Sequence, residues 1–115
     1  MTSEPEILST QRDEGSVRLQ LRIPRDLAKF RGHFPGLAIV PGVTQVDWAI
    51  RYGRAHFPLA AGFSRLSLLK FMQVIRPGAE LTLRLSYNAA AGELGFRYEA
   101  DGSVYSSGRA VFTRE

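Results

Sequence analysis

The chain has 115 residues, 44% apolar and 23% charged, with a net charge of +4, the balance of one globular domain with a single core. It contains no cysteine, which excludes disulfide staples, thiolate nucleophiles and cysteine-ligated zinc or iron–sulfur sites. No apolar run reaches the roughly 18 residues of a membrane span, and the opening MTSEPEILST has neither a basic start nor an apolar stretch before a cleavage site, so a cytoplasmic setting is expected.

Residues 1–15 are polar and acidic and are expected to be loose, leaving 16–115 as one domain. Val17, Leu19, Leu21 and Ile23 alternate with Ser16, Arg18, Gln20 and Arg22, a half-buried strand ended by Pro24. The run RGHFPGLAIVPGV (residues 31–43) is a Gly/Pro loop. After it Val43, Val46, Ile50, Gly53 and Phe57 recur at spacings of three and four, which predicts a helix over 43–57 of about four turns. Pro58 stops it. Strands return in LSLLKFMQVI, in Leu81 to Tyr87 and in Leu94 to Tyr98, and Asp101-Gly102 is a hairpin signal before SVYSSGRAVF. These four segments are expected to form an antiparallel meander. One helix cannot bury its stripe alone, so the economical architecture is an α+β domain with a curved sheet wrapped around it.

Charge is unevenly spread. Between Ser16 and Arg84 eleven Lys or Arg stand against three acids, +8 for that stretch and −4 for the two ends together. Thirteen of the fifteen basic residues are arginine, whose planar fork suits phosphate and carboxylate. An anionic partner would dock on this middle region, although a solvated face has the same composition. No recognition helix or stacking module accompanies the arginines, which sets nucleic acid aside.

The loop carries the chemistry. Glycines 32 and 36 permit backbone geometries other residues resist, Pro35 and Pro41 fix φ, and His33 sits among them. Asp47 follows about one turn into the helix, so an acid and a base could share a cleft within one chain or across a dimer. The helix start between them has free N–H groups and a positive dipole end for a developing oxyanion. Plainer accounts exist for each residue. A histidine in a stiff loop is more often structural, Asp47 and Arg51 have the spacing of an ordinary i,i+4 ion pair, and His56 at the helix end is favoured by the dipole. Trp48, Phe71 and Met72 could line an acyl channel or belong to the core.

The sequence GHFPG (32–36), then PGV (41–43), then Asp47 on an apolar helix, resembles the hallmark of the β-hydroxyacyl-acyl carrier protein dehydratases. LLKFMQVIRPGAELTL resembles that family's second recurrent stretch, so the likeness runs from Phe30 to the C-terminus. Among its members the chain is most similar to the short aryl-polyene-type enzymes. The resemblance implies a hot-dog fold, an antiparallel sheet around one long central helix. It implies a homodimer, a larger assembly or a heteromer with a related dehydratase, His33 of one chain facing Asp47 of another. His33 and Asp47 fall on the catalytic pair, Gly42 on the glycine whose N–H binds the thioester carbonyl, and Ile39 where a backbone carbonyl orients the histidine. Phe34, Val43, Trp48, Phe71 and Met72 complete the supporting and channel positions. Many members carry Gln where this chain has Arg51, which would pair with Asp47 and hold it ionised.

The activity so implied is dehydration of a (3R)-hydroxyacyl thioester carried on acyl carrier protein to a trans-2-enoyl thioester, in fatty acid or aryl polyene-type synthesis. It requires no metal or redox cofactor. The acidic carrier would meet Arg25, Lys29, Arg31, Arg54 and Arg76. A hot-dog thioesterase, and a non-catalytic partner subunit in which Arg51 disables Asp47, are the alternative readings.

Overall fold

A computed structural model describes residues 4–25 and 39–114. Its elements in chain order are β1 (Glu6–Asp13), β2 (Ser16–Arg22), α1 (Gly42–His56), β3 (Gly62–Phe71), β4 (Glu80–Asn88), β5 (Glu93–Ala100) and β6 (Ser103–Thr113). The six strands form one antiparallel sheet in the order β1-β2-β4-β5-β6-β3.

Period-2 patterning builds the inner face of the sheet. Val17, Leu19 and Leu21 of β2 pair with Leu85, Leu83 and Leu81 of β4, and Leu83 and Leu85 pair with Tyr98 and Phe96 of β5. All of these side chains are buried. Each aliphatic residue so placed contributes on the order of 1.5–3 kcal/mol. Helix α1 lies on this face with Val46, Trp48 and Ala49 in the core. The approach is tight at Gly53, where a Cβ would stand 2.5 Å from Leu94 Cδ2, so a larger residue would require the Leu94 side chain or the helix to shift.

Three expectations change. The N-terminal segment is not loose between Glu6 and Asp13: it forms β1, paired with β2 through a turn in which Gly15 has φ +76°. Both faces of β1 are exposed, so it has no alternation from which to predict it. The four later segments are not one meander. Strand β4 is flanked by β2 and β5, which sends β3 to the far edge beside β6, and only β4-β5-β6 follow one another in space. Finally, the buried stripe of α1 runs through Gln45, Trp48, Ala49 and Gly53, not through Val43, which is 80% exposed. Trp48 supplies more contact area than the valine, and the helix rotates to bury it.

The helix bounds and the Asp101-Gly102 hairpin match expectation. Ala100 faces Ser103 across a two-residue turn with φ of 51° and 78°, which suits Asp-Gly.

Candidate active site at the start of helix α1

The chain enters α1 through Val40, Pro41 and Gly42. Val40 is buried and its N–H donates to the Ile75 carbonyl at 2.8 Å, anchoring the loop to the segment after β3. Pro41 occupies the N-cap position with φ −59°, and its carbonyl accepts from the N–H groups of Thr44 and Gln45, each at 3.1 Å. Among the described residues no side chain caps this helix, and its first turn holds no acid. The N–H groups of Gly42 and Val43 have no acceptor among the described residues. Donors unpaired among the described residues, at the positive end of the helix dipole, form a place for negative charge on oxygen.

Side chains around this point form an apolar rim. The Phe71 ring lies directly over Gly42: a Cβ there would be 2.8 Å from Phe71 Cζ. Phe71, Met72 and Val74 are each about half exposed, and Val43 more so. Ile39 is half-buried at the start of the described loop. Trp48, a channel candidate in the sequence, is buried in the core at 1% exposure among the described residues.

Asp47 stands exposed on the second turn of α1. Arg51 Nε lies 3.0 Å from its Oδ2, and Arg51 Nη1 reaches Glu4 Oε1 at 3.5 Å. The sequence spacing predicted the first contact; the second arrives because β1 brings the N-terminal segment alongside. Next to them, burial together with the charge of Glu4 pushes the Tyr52 phenol up to about 12, Arg51 opposing.

His33, Phe34, Lys29 and Arg31 lie outside the described residues. Of the other carrier-contact candidates, Arg25 and Arg76 are at or near the surface. Arg54 is engaged within the chain, donating to the carbonyls of Ala60 and Ala61 and lying 4.9 Å above the Phe112 ring.

Sequence reading missed the polar cluster beneath the helix start, made of Gln45, Tyr98 and Ser106, all buried. Its signal was present: Gln45 interrupts the apolar stripe and Ser106 takes an inward phase of β6. The helix-end histidine also differs. Burial, and secondarily the cation of Arg12, lower the His56 pKa, and its buried Nδ1 lacks a hydrogen-bond partner among the described residues.

Two surface grooves, of about 700 and 550 Å³, lie elsewhere. The larger is on the opposite sheet face among Arg18, Lys70, Arg84 and Arg97, and neither is lined by Gly42 or Asp47. No cluster of three or more His, Asp or Glu suited to a metal occurs among the described residues. None of their helices is long and apolar enough to cross a membrane.

The sequence profile of the ApeI-like family, described as ApeI dehydratase, matches residues 9–109. The chain belongs to the ApeI-like dehydratase family. Its structure is similar to a chain of the dehydratase heterocomplex ApeI:P from Xenorhabdus doucetiae, with 29% identity, a TM-score of 0.89 and coverage of 96% of this chain and 99% of that one. An uncharacterized protein from Erwinia carotovora subsp. atroseptica shares 33% identity over 96% of each chain, with a TM-score of 0.82. A candidate thioesterase from Ralstonia eutropha JMP134, related to phenylacetic acid degradation, matches at 16% identity and a TM-score of 0.57, covering 92% of this chain and 81% of that one. At that identity the likeness speaks for the fold alone. No curated protein sequence matches the chain. The architecture is the hot-dog fold, a six-stranded antiparallel sheet packed on one helix.

Proposed function

We propose that this ApeI-like chain dehydrates a (3R)-hydroxyacyl thioester presented on acyl carrier protein, giving the trans-2-enoyl thioester and water. The observation that carries the reading is the uncapped start of α1, with the Gly42 N–H free of acceptors among the described residues and Asp47 five residues further on. His33 takes the α-proton as a neutral imidazole, whose ordinary pKa near 6.5 suits a base at working pH. The electron pair moves onto the thioester oxygen, where the Gly42 N–H stabilises it, an effect worth about 3 kcal/mol per donor. The pair then returns to form the double bond as the C3–O bond breaks. Asp47, directly or through a water, delivers the proton that turns hydroxide into water. No step calls for a metal or redox cofactor.

A second dehydratase-like chain completes the site. Edge strand β3 exposes Phe63, Leu66, Leu68 and Leu69 in the single chain and ends at Phe71, whose ring lies over Gly42. An apolar edge of this kind calls for a covering partner, and the related chain from Xenorhabdus belongs to a heterocomplex. The acyl chain would pass between Val43 and Phe71, and the acidic carrier would meet Arg25, Lys29, Arg31 and Arg76 in the cytoplasm.

The ion pair of Asp47 with Arg51 favours one further reading, a non-catalytic subunit whose carboxylate is occupied. One experiment separates these. The purified chain, alone and with a catalytic dehydratase partner, is given a 3-hydroxyacyl thioester while enoyl absorbance and free thiol are followed. Enoyl formation by the chain alone supports the proposal. Turnover with the partner that survives Asp47→Asn in this chain supports the non-catalytic subunit, and free thiol without enoyl product identifies a thioesterase.

A further inference from the structure

Gln45 has only 3% of its surface exposed, although it is a polar residue on the inner face of the first helical turn. Its side chain reaches backwards: Nε2 donates to the Val40 carbonyl at 3.1 Å, and Oε1 accepts from the Ser106 hydroxyl at 2.6 Å. Its backbone carbonyl accepts from the Tyr98 hydroxyl, also at 2.6 Å. A carbonyl can only accept, so the contact with Val40 fixes which end of the amide points where, and Ser106 must donate. Ser106 and Tyr98 are fully buried on β6 and β5, which makes these strands the fixed frame from which the amide is held.

The amide thus closes a small ring around Val40, Pro41 and Gly42. The Val40 N–H is tied to Ile75 and its carbonyl to Gln45, while the Pro41 carbonyl receives the N–H groups of Thr44 and Gln45. With Val40 held on both sides and the φ of Pro41 restricted by its ring, little freedom is left in the Pro41–Gly42 peptide, which carries the Gly42 N–H. An apolar residue at position 45 would have supplied core volume without a buried amide to satisfy. What the amide adds is direction.

We propose that Gln45 is a positioning residue, its amide clamp on Val40 and Ser106 aiming the Gly42 N–H at the substrate carbonyl. The inference rests on the reading of that N–H as the thioester-oxygen donor. Misplacing such a donor by about 1 Å can cost up to roughly 100-fold in rate, and a buried clamp of this kind acts on turnover more than on ground-state binding.

The test compares wild type with Gln45→Met, which keeps length without hydrogen bonds, Gln45→Glu, which loses the donor to Val40, and Ser106→Ala. Variants whose melting and near-ultraviolet dichroism show a native fold are assayed for dehydration, alone or with the partner chain. Both Gln45 variants should lose about 10-fold or more in kcat with KM little changed, and Ser106→Ala should lose less. Native-folded variants with wild-type kcat, or with a raised KM alone, overturn the inference. If the Gln45 variants do not fold, Ser106→Ala and Tyr98→Phe decide by the same split. If wild type has no turnover in either setting, the functional reading fails instead. The clamp is then judged by the Gly42 amide resonance in Ser106→Ala: a shift supports it and an unmoved resonance overturns it.

Discussion

Arg51 grips Asp47 from one helical turn away, its Nε 3.0 Å from the carboxylate Oδ2, and it reaches Glu4 on the N-terminal segment with the same guanidinium. Both partners are about half exposed, so the pair adds only about 0.3–0.5 kcal/mol to stability. In the proposed dehydration its effect would be larger, because the pair occupies a carboxylate oxygen that would otherwise serve the leaving hydroxyl. Arg51→Gln should leave melting within about 0.5 kcal/mol of wild type and raise dehydration kcat several-fold, whereas Asp47→Asn should abolish turnover. A fall in kcat on removing Arg51 would place the guanidinium within the machinery.

Phe71 and Gly42 are coupled by contact. Adding a methyl group at residue 42 drives it into the Phe71 ring at 2.8 Å. The ring is half exposed and can yield in part, so Gly42→Ala should cost on the order of 1 kcal/mol. In a Phe71→Ala background the same substitution should cost less, and a double-mutant cycle by denaturant unfolding should give a coupling of at least about 0.5 kcal/mol. Additive costs would mean that the ring does not rest on this glycine in solution.

His56 makes stability depend on pH. Its folded pKa is lowered, chiefly by burial and then by Arg12, so the unfolded chain, with the ordinary value of about 6.5, binds the proton more readily. The stability tied to this group is present above about 6.5 and is lost as the pH falls from there through the folded value. Melting temperatures should decline between about pH 7.5 and 5.5, and the decline should be shallower in His56→Gln. An identical slope in both proteins would assign the dependence to other groups.

Alternation and helical spacing carried much of the fold into view: β2, β4 and β5 each bury every second residue, and α1 begins and ends within a residue of its spacing. Strand β1 was hidden because neither face is buried, so its residues are chosen without a period. The place of β3 was hidden because alternation reports which face is inside, not which strand lies alongside. The helix start at Gly42 and the Asp47–Arg51 ion pair were legible from spacing. Gln45 was not, because its partners Tyr98 and Ser106 lie more than fifty residues away and meet it only once the sheet is closed.

Dehydration of a 3-hydroxyacyl thioester on carrier protein, followed by enoyl absorbance in wild type, His33→Ala and Asp47→Asn, tests the central claim most directly. The account predicts turnover by wild type and a loss of about 10²-fold or more in each native-folded variant. Undiminished turnover in both variants, or none in wild type with or without a partner chain, would contradict it.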